Sequence, residues 1–141
     1  MEASEALPRR VVLADDHVIF RQGLRAVLQQ EGLTIVGEAS DGRAAVRLCE
    51  TEQLDLVFTA TPWEWHVPVC VAAMRNDKHA ATEVPAAYTL EDCWQLVEEA
   101  EKYRKHCVMM ENCNYDRPEL LALNLERQGL LGEILHAEGG Y

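Results

Sequence analysis

No Cys-x-x-Cys pair occurs among the five cysteines of this 141-residue chain, Cys49, Cys70, Cys93, Cys107 and Cys113. An odd set without paired spacing supplies neither a disulfide framework nor a zinc knuckle, so the thiols read as core residues. Aromatics are few, at 6%, and no apolar run approaches the roughly 20 residues that span a bilayer. Positive charge is scarce: 13 Lys and Arg against 24 Asp and Glu leave a formal net charge of -11. Nucleic-acid affinity comes largely from cations that displace phosphate counterions, so nucleic acid is not an expected partner. Met1 leads into the acidic Glu2-Ala3-Ser4-Glu5, without the basic and apolar regions of a secretory signal. Neither membrane association nor export is expected, and the expected location is cytoplasmic.

What the sequence does contain is a regular alternation of short apolar runs and amphipathic stretches. Val11 to Ala14 reads as a buried strand running into Asp15-Asp16. Phe20, Leu24, Val27 and Leu28 follow at helical spacing, with Gly32 placed for a left-handed C-cap. Leu33 to Ala39 predicts a second strand, and Asp41 caps a helix that carries Ala45, Leu48 and Cys49 on one face. Leu54 to Ala60 predicts a third strand, and Val67, Cys70, Val71 and Met74 form the stripe of the next helix. His79 to Glu83 predicts the fourth strand. Thr89 with Asp92 resembles a capping box for a helix packing Leu90, Cys93, Trp94 and Val97. His106 to Met110 predicts the fifth strand, and Asp116-Arg117-Pro118 opens a last helix that stops near Gly129. Such alternation argues for one α/β domain over residues 1–141, a parallel sheet sandwiched between two helix layers. Glu133 to Tyr141 is a candidate sixth strand, and an unpaired edge there would favour self-association.

Two families are visible in this pattern. Val11-Val12-Leu13-Ala14-Asp15-Asp16-His17, Phe20-Arg21-Gln22-Gly23-Leu24 and Val36-Gly37-Glu38-Ala39-Ser40-Asp41-Gly42 closely resemble NarL/LuxR-type response-regulator receivers, over residues 1–57. Residues 58–141 instead resemble the Rossmann half of Gfo/Idh/MocA oxidoreductases, in particular the NAD-dependent N-acetylgalactosaminidase-like branch. That likeness is carried by Ala60-Thr61-Pro62-Trp63-Glu64-Trp65-His66, Thr82-Glu83-Val84-Pro85, Glu111-Asn112-Cys113-Asn114-Tyr115 and Gly129-Leu130-Leu131-Gly132. Both resemblances imply a flavodoxin-like or Rossmann-like sheet, ordered 2-1-3-4-5. They meet within one strand, which implies an engineered or recombined chimera.

The resemblances also imply what each half lacks. Asp15 and Asp16 match a receiver's metal-holding acidic pair, so weak Mg²⁺ or Ca²⁺ binding is the one cofactor role left to that half. Ala60 stands where a receiver needs its phosphoryl-accepting aspartate, and Glu111 where it needs a lysine. The glycine turn that brings backbone amides to a dinucleotide's pyrophosphate is replaced by Ala14-Asp15-Asp16-His17-Val18-Ile19, so NAD binding is not expected. Residues that resemble the nicotinamide side persist: Thr61, Pro62, Trp63, His66, Glu83, Pro85, Asn112 and Tyr115. Asp15, Asp16, Glu83 and Glu111 are expected to form an anionic cluster at the strand ends.

The expectation from sequence is therefore a chimeric scaffold without enzymatic or signalling activity. A residual ligand-binding module, taking a nucleotide or divalent cation, is the alternative, and a degenerate phosphorelay receiver is the second. His17, His79, His106 and His136 lack ligand spacing. The Glu98-Glu99-Ala100-Glu101-Lys102 run is expected to be a solvated helix face.

Overall fold

A computed structural model describes residues 9–136. The chain divides into two compact units, Met1–Met110 and Glu111–Tyr141.

The first unit is built on a five-stranded sheet. The strands are β1 (Arg10–Asp15), β2 (Thr34–Ala39), β3 (Leu56–Ala60), β4 (His79–Thr82) and β5 (Cys107–Met109). All neighbours pair in parallel in the order β2-β1-β3-β4-β5, as expected, with β1 central rather than at an edge. The helices between them are α1 (Val18–Gln30), α2 (Gly42–Thr51), α3 (His66–Arg75) and α4 (Leu90–Tyr103). This is the Rossmann-like α/β fold.

Strand alternation assigns the two faces of the sheet. Val12, Ala14, Val57 and Ala80 face α2, α3 and α4 and join Ala45, Cys49, Val67, Cys70, Met74 and Leu96 in one apolar core. Asp41 caps α2 by accepting from the Ala44 amide at 2.8 Å, and Thr89 caps α4 by accepting from the Asp92 amide at 3.1 Å. Gly32 takes the left-handed conformation after α1 that its position called for.

Several expected packing faces are corrected. The apolar stripe of α1 is not core: no residue of that helix is buried, and Phe20 is 71% exposed. Within this unit α1 packs mainly on β1 and β2, and it leaves Ile19, Phe20 and Val27 toward solvent. On α4 the inward stripe is Leu96, Glu99, Ala100 and Tyr103, whereas Leu90, Trp94 and Val97 point outward. Glu99 is thus no solvated residue. Its carboxylate takes a bidentate pair from Arg75 of α3, at 3.0 Å to Nε and 2.6 Å to Nη2, which bolts the two helices together. Of the five thiols, Cys49 and Cys70 are buried, Cys107 is half-buried, and Cys93 and Cys113 are exposed.

The second unit holds a 3₁₀ turn, Asn112–Tyr115, and α5 (Arg117–Arg127), with Pro118 in the first helical turn where its missing N–H costs nothing. Glu133 to His136 form no strand, and residues 137–141 of the expected sixth strand lie outside the described residues. Among the described residues no helix is long and apolar enough to cross a membrane.

Candidate functional site

In a parallel sheet with a crossover on either side of the central strand, the loops at the carboxyl ends part and leave a crevice. Here that crevice is a cleft of about 630 Å³ between β1, β3, β4 and α1. Its floor is apolar, with Leu13, Phe20, Leu24, Phe58 and Met110, and its polar rim brings together Asp15, Arg21 and Glu83.

The acidic end of β1 folds on itself. Asp15 Oδ1 accepts from the His17 amide at 2.6 Å, and His17 Nδ1 lies 3.1 Å from Asp16 Oδ1. Asp15, Asp16 and His17 can each bring a ligand atom within 4.8 Å of the others. His17 therefore joins the acidic pair, a neighbour that a search for helical ligand spacing passed over because the three residues are contiguous in the turn. Arg21 leans across from α1, donating to the Asp15 carbonyl at 2.5 Å and to Glu38 Oε2 at 3.0 Å. Arg25 also donates to Glu38. Burial pushes the Glu38 carboxyl upward, but the hydrogen bonds and charges of Arg21 and Arg25 outweigh it and hold the group below the usual carboxylate range.

These residues do not fit a dinucleotide's pyrophosphate. The turn after β1 has no glycine and presents two carboxylates, and the carboxylate near the end of β2, where dinucleotide folds hold a ribose, is already engaged by two arginines. Nor do they fit phosphoryl transfer, since the residue registered opposite Asp15 on β3 is Ala60, which offers no nucleophile. Thr82 ends β4 one residue before the expected limit, and its side chain is fully buried and donates to the Glu83 carbonyl at 3.2 Å.

The residues expected on the nicotinamide side fall into four groups. Thr61, His66 and Pro85 form a buried knot, with His66 Nε2 2.7 Å from the Thr61 carbonyl and His66 Nδ1 2.7 Å from the Pro85 carbonyl. The imidazole, 1% exposed, spends both nitrogens on tying the β3 loop to the β4 loop, so it positions the rim and offers no ring nitrogen to a ligand. Thr61 Oγ1 is in turn bonded to Thr59 Oγ1 at 3.0 Å. Glu83 reaches the carboxyl-end cleft, and Pro62 is exposed in the loop after β3. Trp63 instead lines a separate groove of about 440 Å³ on the α3 and α4 side, shared with Tyr88, Asp92 and Gln95. Asn112 and Tyr115 belong to the second unit, where both are exposed. Glu111, expected in the anionic cluster, caps that unit's 3₁₀ turn by accepting from the Cys113 amide at 3.1 Å.

Comparison with known proteins bears on both halves. Residues 11–61 match the response regulator receiver domain. A glycosyl hydrolase family 109 protein of Shewanella sp. strain ANA-3 is 52% identical over 94 residues, 67% of this chain and 20% of that protein. An alpha-N-acetylgalactosaminidase of Shewanella oneidensis is 51% identical over the same share of each. The chain spans about a fifth of the length of the curated relatives it matches. Among solved structures, an inositol dehydrogenase homolog complexed with NAD+ from Azotobacter vinelandii superposes with a TM-score of 0.72 at 18% identity, over 92% of this chain and 40% of that one. The WlbA dehydrogenase from Bordetella pertussis, in complex with NADH and UDP-GlcNAcA, does so with a TM-score of 0.71 at 16% identity, over 90% and 44%. These superpositions cover nearly the whole chain, the receiver-like segment included.

The expectation of a scaffold built from parts and devoid of enzymatic character is overturned by these relatives, which are named glycosidases and are 51–52% identical to this chain over 94 residues. So are its two alternatives, a residual binding module and a degenerate receiver. The reason is physical as well. Loss of one glycine turn removes a phosphate contact but leaves the strand order that a dinucleotide fold and a receiver have in common, so a missing motif at β1 did not weigh against an enzyme-like second half. The chain carries a receiver-type segment at 11–61 within a Rossmann-like sheet whose relatives and structural neighbours are glycosidases and oxidoreductases.

Proposed function

We propose that this chain is the Rossmann-type portion of an enzyme of the α-N-acetylgalactosaminidase kind, and that its ligand-facing part is the rim after β3 and β4. The observation that carries the reading is 52% identity over 94 residues to a glycosyl hydrolase family 109 protein. The geometry supports it: the rim is rigid where the rest of the carboxyl end is not specialised. His66 bridges the Thr61 and Pro85 carbonyls of the loops after β3 and β4, beside Ala60 and Glu83, which line the cleft. A carboxylate and exposed loop backbone beside an apolar floor suit a sugar ring, which offers hydroxyls to the former and C–H faces to the latter. Asp15 lines the same cleft, and dinucleotide binding through the acidic turn after β1 is not proposed.

The test is a nuclear magnetic resonance titration of the whole chain with N-acetylgalactosamine and, separately, with NAD⁺. The sugar should move amide resonances of residues 60–66 and 83–85 and leave Asp16 and His17 unmoved. A sugar that moves no rim resonance, or one that moves the β1 turn instead, would overturn the reading.

A further inference from the structure

The amino ends of the strands carry a second cavity, at the opposite end of the sheet from the rim. It measures about 740 Å³ and is lined by Arg9, Asp55, Asp77, His79, Lys105 and His106, from the segments that lead into β1, β3, β4 and β5. None of these residues lines the carboxyl-end cleft. Cations are scarce in this chain, 13 Lys and Arg against 24 Asp and Glu, yet two of them and two imidazoles gather here. The two carboxylates are already engaged. Asp55 Oδ2 accepts from the Arg10 amide at 2.8 Å. Asp77 Oδ1 lies 2.7 Å from Lys105 Nζ, with its own side chain 91% exposed. Lys78, next in the chain, gives its ammonium to the Asn76 carbonyl at 2.7 Å.

The imidazoles decide which charge the cavity takes. Their rings stand with centroids 5.1 Å apart, and the His106 amide donates to His79 Nδ1 at 3.0 Å. A backbone N–H only donates, so Nδ1 keeps its lone pair and the neutral His79 ring carries its proton on Nε2. His79 is thus fixed as a donor. A metal ion on Nε2 would need that proton moved to Nδ1, against the His106 amide. His106 supplies at least one ring N–H in either tautomer. Burial, and then the positive charges of Lys105, His106 and Arg9, hold the His79 ring below its ordinary value of 6.5 against the pull of Asp55.

We propose that this cavity binds a small oxyanion of the phosphate class, held by the Arg9 guanidinium, the Lys105 ammonium and the His79 Nε2–H. Donors from three separate segments outnumber a carboxylate's two oxygens and suit the three free oxygens of a phosphate group. Its two cations answer the nearly double negative charge that such a group carries at neutral pH. Arg9 offers a planar fork and Lys105 a point charge. Lys105 gives up only a solvent-facing ion pair with Asp77, an interaction of little worth in water.

The experiment is a nuclear magnetic resonance titration of the whole chain with inorganic phosphate at neutral pH, with ionic strength held constant by chloride. The ring protons of His79 and His106 should shift and saturate in the millimolar range, while amides of residues 60–66 and 83–85 stay in place. Arg9→Gln and Lys105→Met should each weaken binding about tenfold, the loss of one charge-assisted hydrogen bond. The wild-type curve stands alone should a variant fail to fold. Glycerol phosphate run in parallel separates the sources: binding equal to or tighter than that of inorganic phosphate assigns the site to a phosphorylated molecule, and weaker binding assigns it to the free ion. Shifts that never saturate or that chloride reproduces, affinity unchanged in both variants, or saturation of His79 and His106 by Zn²⁺ and not by phosphate would each overturn the proposal.

Discussion

Trp65 lies across the bare α-carbon of Gly42: a Cβ built there would come within 2.0 Å of the indole Cγ. Gly42 begins α2 in the receiver-like part, and Trp65 precedes α3 in the oxidoreductase-like part, so the two segments are fitted together at a point where only glycine leaves room. The contact is short-range and has no flexible end to swing away, since the nearest atoms are the Cβ and ring carbons of the tryptophan.

Gly42→Ala should accordingly destabilise the chain by about 1–3 kcal/mol, the usual cost of overpacking a filled site. Gly23→Ala, at an open position within α1, should instead stabilise by roughly 0.5–1 kcal/mol through helix propensity. Urea midpoints of the two variants should move in opposite directions. A common direction would mean that helix propensity rather than the tryptophan sets the outcome.

His66→Phe should keep an aromatic ring, a larger one, but strand the two carbonyls that now lie 2.7 Å from the imidazole nitrogens. The expected loss is about 1–3 kcal/mol, the cost of an unsatisfied buried polar group. Thermal melting reads it, and an unchanged midpoint would show that water replaces the imidazole without loss.

The Arg75 hydrogen bond, with its charge, holds the Glu99 carboxyl below its ordinary value of 4.5, burial opposing. A lowered folded-state value means that the pair contributes stability above the unfolded value and loses it as pH falls through the folded one. Glu99→Gln should therefore melt lower than the parent at pH 7, and the two should converge as the pH falls below the ordinary value of 4.5 and on through the lowered folded-state value. A gap that stays constant through the acid range would assign the effect to packing instead.

At the β1 turn, Asp15, Asp16 and His17 crowd ligand atoms within 4.8 Å. Millimolar Mg²⁺ should raise the melting temperature of the parent but not of an Asp15→Asn, Asp16→Asn variant, because a hard cation relieves carboxylate repulsion. Without metal, the double variant should melt higher than the parent. Equal responses to Mg²⁺ from both proteins would refute metal binding there.

The strands themselves, the caps at Asp41 and Thr89 and the left-handed Gly32 were legible in the sequence, because each depends on chemistry within a few residues or on a period of two or 3.6, whereas the order of the strands came from the family resemblances. So was the loss of the glycine turn. Periodicity identifies a helix's apolar face but does not say whether anything covers it, which is why Phe20 and Trp94 read as core and stand exposed. It is equally blind to partners distant in sequence. Glu99 looked like one more charge in an acidic run until α3 brought Arg75 against it. His66 looked like a ligand group, and tertiary structure decided otherwise: two loops separated by the whole of α3 and β4 converge on its two nitrogens, and a ring with both nitrogens committed is a strut.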